Sequence, residues 1–175
     1  MRQSDEDRFA GFVRAHGASL FRTAFLLTGD YQRAEDLLQS TWVHLYRRWP
    51  QVEKMARPVA YTRKVLVNQS ISWWRRRSSH EVLLVVQEEP SWGGRVDEIP
   101  EHQRVWQAVL QLPPRQRAVI VLKYYEDLSE AEIADALEMA VGTVKSHAHA
   151  ATRRLSDLLS EPSAPSARHP EEATS

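Results

Sequence analysis

Apolar residues recur every three or four positions along this chain. That spacing commits it to packed helices, because one apolar stripe per helix must be buried against another. Phe9, Phe12, Val13, Leu20, Phe21, Ala24 and Leu27 form the first stripe. Ala34, Leu37, Leu38, Thr41, Trp42, Leu45 and Trp49 form the second. Ser4 and Asp7 are spaced like a capping box at the first helix start, and Thr28-Gly29 stops that helix. The second opens near Asp30 and should end at Pro50. A third begins after Arg57-Pro58 and runs to about Arg77, with Val59, Val65, Leu66, Gln69, Ile71 and Trp73 mixing core and surface positions.

Composition changes at Glu81. From there to His102 the chain holds Glu81, Glu88, Glu89, Asp97, Glu98 and Glu101 among Pro90, Gly93, Gly94 and Pro100, which reads as an acidic linker. Its apolar run Val82–Val86 is expected to dock on a domain, and its carboxylates to fold back over the preceding basic helix. Helical patterning resumes, with one helix ending near Gln111, one opening at Pro113-Pro114 and one at Ser129, where Glu132 completes a capping box. The Pro/Ser/Ala/Glu-rich end has little to bury, so disorder is expected there. The expected fold class is therefore all-α: two small helical domains, residues 4–80 and 103–159, joined by a linker over 81–102 and followed by a tail over 160–175.

Lysine and arginine together number 23, matched by 23 acids, yet Lys54 to His80 carries seven cations and no acid. Lys54, Arg57, Arg63, Lys64, Arg75, Arg76 and Arg77 are interleaved with Tyr61, Trp73 and Trp74. Cations hold phosphates, and aromatic faces stack on unpaired bases. The bland alternative is a solvated helix face beside two core tryptophans. Cysteine is absent, which excludes disulfides and thiolate metal sites and suits a reducing cytoplasm. No apolar run reaches the ~18–20 residues needed to span a bilayer, and the start lacks a signal-peptide core. A cytosolic protein with no membrane partner is expected.

The segment from Asp127 to Leu155 has a helix-turn-helix layout. Ile133, Ala134 and Leu137 pack one helix, Glu138 to Ala140 turn, and Val141, Val144, Ala148, Ala151, Leu155 and Leu158 continue a long one. Thr143, Lys145, Ser146, His147, His149, Arg153 and Arg154 fall outside that stripe, where a recognition helix meets the major groove. Glu138 stands where glycine suits a left-handed cap, and Ala140 where serine or threonine would cap the next helix. Each departure costs on the order of 1 kcal/mol.

With these motifs in place, the chain resembles a bacterial RNA polymerase sigma factor of the small extracytoplasmic-function (ECF) type, in its actinobacterial SigE-like subgroup. The resemblance covers nearly all of residues 5–159. AEDLLQSTWVHLYRRW is similar to the helix that grips the polymerase clamp, which implies core-polymerase contacts at Asp36, Gln39, Trp42 and Val43; Ser40 departs from a commonly acidic position. RPVAYTRKVLVNQSISWWRRR is similar to the helix that opens and reads the −10 element. It implies DNA contacts at Arg57, Tyr61, Arg63, Lys64, Asn68, Trp73, Trp74, Arg75, Arg76 and Arg77, with Asn68 near a flipped base and the loop over 52–58 selecting that base. LPPRQRAVIVLKYYEDLSEAEIADAL and VGTVKS resemble the domain that reads the −35 element and docks on the polymerase flap. They imply contacts at Thr143, Lys145, Ser146, His147, His149 and Arg153, although the family usually has arginine at His147. The implied partners are core polymerase and promoter DNA. Whether an anti-sigma protein binds is open at this point, and no cofactor, metal or catalytic residue is implied.

Two other classes compete. A stand-alone helix-turn-helix regulator would pair the motif with a strand-containing receiver or ligand domain, and the first half has no strand pattern. A metal-dependent nuclease would need clustered ligands. His147 and His149 face about 200° apart on a helix, and no phosphate loop or nucleophile elbow is present. Trp42 and Trp49 read more readily as core than as ligand-binding residues, and Tyr124-Tyr125 as packing for the second domain.

Overall fold

The computed structural model describes residues 3–80 and 100–160. They form seven α-helices and one π-helical turn, with no strand among the described residues. Helices α1 (Gln3–Thr28), α2 (Tyr31–Val52) and α3 (Pro58–His80) make the first group. Helices α4 (Pro100–Leu110), α5 (Pro114–Ile120), α6 (Glu130–Leu137) and α7 (Val141–Ser160) make the second, with the π turn Val121–Tyr125 continuing α5. The expected docking of Val82–Val86, the folded-back acidic linker and the tail lie outside the described residues.

The first group closes on the two predicted stripes. Leu20 and Ala24 of α1 meet Ala34, Leu37, Leu38, Trp42 and Leu45 of α2 and Leu66 of α3. Phe9 and Phe12 set their rings against Trp42 and Trp49, with centroids 5.1–6.3 Å apart. Gly29 makes the sharp α1–α2 turn at φ +75, and a Cβ there would meet the Leu110 side chain at 2.5 Å. Asp30 then caps α2 by accepting from the Arg33 N–H at 2.8 Å.

Three boundaries differ from expectation. Ser4 lies inside α1 and not at its cap; Asp5 and Glu6 occupy the first turn, where the helix dipole favours acids. Pro50 lies inside α2. Its missing N–H falls in the last turn, where Glu53 N–H still reaches the Trp49 carbonyl at 2.9 Å. Helix α4 starts at Pro100, within the stretch expected to be linker, because proline suits a first turn.

In the second group Ser129 and Glu132 form the predicted capping box of α6. Glu138 closes α6 in the left-handed conformation at φ 52. Val144, Ala148 and Ala151 of α7 are buried, whereas Val141 is exposed, because it opens the helix beyond the edge of the core. Tyr124 and Tyr125 are also exposed and do not pack this group. The wide π turn swings both outward, and the Tyr125 hydroxyl accepts from Arg22 Nε of α1 at 3.0 Å.

The two groups share a core. Leu27 of α1 and Val67 of α3 cluster with Ala118, Val119, Leu122, Ile133, Ala136 and Leu137. Arg117 of α5 is buried at the junction. It donates to the Leu27 carbonyl at 2.8 Å, to Leu112 at 3.3 Å and to Leu110, and its guanidinium lies 5.2 Å from the Trp74 ring. Burial pulls its pKa from 12.5 down to about 10, so it stays cationic at neutral pH with no carboxylate beside it.

Candidate nucleic-acid interface

The basic segment folds as α3. Its local sequence favours this: Pro58 starts the helix, and no acid interrupts it to offer a competing partner. One side of α3 faces α2 across a cleft of about 650 Å³. Arg33, His44 and Arg48 of α2 line it with Tyr61, Asn68, Trp73 and Arg76 of α3, and Glu138 lines it too. His44 Nε2 lies 3.4 Å from the Tyr61 hydroxyl. Partial burial, then Arg48 and Arg47, push the His44 pKa below 6.5, which favours the neutral ring at pH 7. Trp73 and Trp74 are both half-buried and meet edge to face at 4.8 Å. Arg33 sits 5.6 Å from the Trp73 ring, so each tryptophan carries a guanidinium.

Four of the ten predicted contacts, Arg57 just before α3 and Arg63, Lys64 and Asn68 on it, are engaged by the second group of helices. Arg63 pairs with Glu126 at 2.7 Å, and both side chains are mostly buried. The Asn68 amide donates to the Ala136 carbonyl at 3.0 Å. Lys64 lies 3.4 Å from Glu138 and 3.7 Å from Asp135, and Arg57 lies 3.1 Å from Glu132. Arg75 and Arg76 are exposed, and the Arg77 side chain lies outside the described residues.

On α2, Asp36, Gln39 and Val43 are exposed and share one surface. Trp42 is not on it: at 8 % exposure, it is held in the core by Phe9 and Phe12. A helix cannot turn positions 42 and 43 to the same side, and the apolar stripe takes the tryptophan. Ser40 donates to Gln69 Oε1 at 3.1 Å, tying α2 to α3.

On α7, Thr143, Lys145, Ser146, His149 and Arg153 are exposed, and His147 is half-buried. Ser146 donates back to the Gly142 carbonyl at 3.0 Å, and Lys145 lies 3.7 Å from Glu130. The sequence reading missed Glu126 and Arg117. Glu126 follows two tyrosines with no periodic signal. Arg117 sits just ahead of the apolar run AVIVL, the one hint that its neighbours would bury it. No group of three or more histidines or acids suited to a metal ion occurs among the described residues.

Residues 12–80, holding nearly all of α1 to α3, match the family model for sigma-70 region 2, and residues 102–155 match that for sigma-70 region 4. The RNA polymerase sigma-E factor of Streptomyces coelicolor is 35% identical over 151 residues, which cover 86% of this chain and 85% of that protein. The chain belongs to the sigma-70 family, in its ECF branch. The ECF RNA polymerase sigma factor SigL of Mycobacterium tuberculosis is 34% identical, over 83% of this chain and 85% of SigL. Among solved structures, the sigma factor RpoE in complex with the anti-sigma factor NepR from Bartonella quintana superposes with a TM-score of 0.66 at 26% identity. That match spans 87% of this sigma factor and 96% of RpoE. No helix among the described residues is long and apolar enough to cross a membrane.

Proposed function

We propose that this sigma factor divides promoter recognition between its two helical groups while core RNA polymerase holds both. Residues 4–80 form the −10 and polymerase-clamp unit and residues 103–159 the −35 and flap unit. On this reading Asp36, Gln39 and Val43 meet the clamp. The cations of α3 hold single-strand phosphates, and the α2–α3 cleft beside Asn68 receives an unpaired base. Taking a base out of the stack costs a few kcal/mol, which phosphate contacts and stacking on Tyr61, Trp73 or Trp74 offset. Thr143, Lys145, Ser146, His149 and Arg153 of α7 face the −35 duplex. Lysine and arginine position the helix on phosphates, and the N-terminal polar residues reach base edges.

The observation that carries this reading is the acid-free, aromatic-bearing helix α3 set along the open α2–α3 cleft. The protein acts by binding and needs no catalytic residue of its own. It works in the cytoplasm, where core polymerase is. An anti-sigma protein is the further partner class suggested by the likeness to RpoE. Run-off transcription with purified core polymerase on a library of promoter fragments tests the reading. Transcripts that require this chain, and share two spaced upstream motifs, are the expected result. Duplex binding without polymerase and no transcripts would instead favour a stand-alone regulator.

A further inference from the structure

We infer that His44 of α2 is a further residue of the single-strand surface: with Arg48 it binds a phosphate of the unpaired strand, as an imidazolium. The inference rests on the reading of the α2–α3 cleft as the single-strand site and adds to it a contact that takes up a proton.

Helical register places the residue. Arg33, Leu37, Ser40, His44 and Arg48 recur every three or four positions, so one face of α2 forms a wall of the cleft. His44 and Arg48 are one turn apart, which makes their side chains neighbours. His44 is half-buried and Arg48 is exposed. Across the cleft, the Tyr61 hydroxyl of α3 lies 3.4 Å from His44 Nε2.

This turn of α2 is short of anions. The charged groups that line the cleft are Arg33, Asp36 and Arg48 of α2, Lys64 and Arg76 of α3, and Glu138. Asp36 lies eight residues back from His44, roughly 12 Å along the helix, and Glu138 is taken by Lys64 at 3.4 Å. Arg47, exposed on the same turn, adds another cation. No ion pair among the described residues engages Arg47 or Arg48, in contrast to Arg57, Arg63 and Lys64. The surroundings therefore keep the ring neutral: burial first, then Arg48 and Arg47, lower its pKa below 6.5.

A phosphate reverses that balance. Its oxygens offset Arg47 and Arg48 and favour the protonated ring. An imidazolium donates from both nitrogens, Nε2 toward the Tyr61 oxygen and the other toward the phosphate, while the Arg48 guanidinium takes a second phosphate oxygen. The proton is absent from the free protein at neutral pH and present in the complex. By linkage, strand binding strengthens as pH falls through the interval between the free and bound states of the ring.

The test uses holoenzyme, core polymerase loaded with the full chain. Its probe is a promoter fragment from the run-off assay with a non-complementary −10 stretch, which presents single-stranded bases without melting. The same fragment fully paired, held cold so that it stays closed, is the control. Affinity is measured at pH 7.5 and 6.0 over a range of salt for wild type, His44→Gln and His44→Lys. Titrating groups elsewhere, His147 and His149 included, contribute alike to all three, so the differences isolate position 44. On the unpaired fragment, wild type should gain on the order of fivefold over His44→Gln between pH 7.5 and 6.0. Its slope of log K against log salt should steepen over the same interval by about 0.7, the value for one single-strand phosphate. His44→Lys, cationic at both pH values, should bind at pH 7.5 as wild type does at 6.0. On the paired fragment the three should agree. A pH profile or salt slope shared by wild type and His44→Gln overturns the inference. So does a loss in His44→Gln of equal size at both pH values, which marks a packing role. Wild-type holoenzyme that binds the unpaired fragment no more tightly than the paired one refutes the reading of the cleft itself, and the contact falls with it.

Discussion

Helix α7 presents Thr143, Lys145, His149 and Arg153 to solvent, whereas α3 has Arg63, Lys64 and Asn68 turned into the other half of the molecule. Both helices carry the cations a nucleic-acid surface needs. On α7 one carboxylate, Glu130, approaches Lys145 at 3.7 Å. On α3 three carboxylates, Glu126, Asp135 and Glu138, and the Ala136 carbonyl hold Arg63, Lys64 and Asn68. A duplex is already present at a promoter and requires only docking, so a surface like α7 can stand open. Unpaired bases exist only once polymerase has begun to separate the strands, so a surface like α3 can remain covered until then without loss of function. On the proposed assignment of α7 to duplex and α3 to unpaired bases, the difference between the helices follows the order in which those targets become available.

The largest test of that contrast is at the junction. Arg117→Ala removes three hydrogen bonds from buried backbone carbonyls and leaves a cavity beside Trp74. A loss of about 3 kcal/mol is expected, read as a lower urea midpoint. The same change at exposed Arg153 of α7 should shift stability by no more than about 0.5 kcal/mol. Equal losses at both sites would mean that Arg117 does not join the two halves.

Salt dependence separates the helices next. With holoenzyme on promoter DNA, Lys145→Ala and Arg153→Ala should each flatten the slope of log K against log salt by about 0.9, the value for one duplex phosphate. Arg75, Arg76 and Arg77 changed to Ala should flatten open-complex formation by about 0.7 for each single-strand phosphate no longer neutralised. An unchanged slope for the arginine variant would remove phosphate binding from that end of α3.

The helical architecture was legible because the stripes through Leu20, Leu37, Leu45, Ile133 and Val144 each have one side to bury. Caps at Asp30 and Ser129, and the turn at Gly29, followed from local chemistry. What escaped was long-range. Nothing near Glu126 announces that it will pair with Arg63, because that bond depends on how two helical groups meet. The sequence also suggests an acidic cover for the basic helix from residues 81–102, nearly all of which lie outside the described residues. The cover observed comes from α6, whose acids look like an ordinary solvated face until α3 is set against them. Trp42 erred in the opposite direction: a family contact position and a core stripe overlapped, and burial won.

A smaller effect sharpens the role of Glu138. Glu138→Gly relieves the left-handed strain and should stabilise the α6–α7 turn by about 1 kcal/mol, while leaving Lys64 with Asp135 alone. Glu138→Ala keeps the strain and also loses the pair, so its melting temperature should fall below wild type. If glycine and alanine shift the melting temperature alike, the left-handed residue is not under strain.

Acid provides the finest distinction, because Glu132 serves both the α6 cap and the pair with Arg57. The Ser129 backbone N–H, the Ser129 hydroxyl and then Arg57 hold its carboxyl well below the usual 4.5, at about 2. The folded pKa lies below the unfolded one, so the unfolded chain binds the proton first as pH falls. The contribution of Glu132 is therefore complete above about pH 4.5 and is lost progressively as pH drops through about 2. His44 works in a different window: its lowered pKa makes the folded chain lose ground as pH falls below about 6.5. Urea midpoints measured at pH 5.5, 4 and 3 on wild type, Glu132→Gln and His44→Gln separate the two. Glu132→Gln should flatten only the decline below about pH 4.5, and His44→Gln only the one above it.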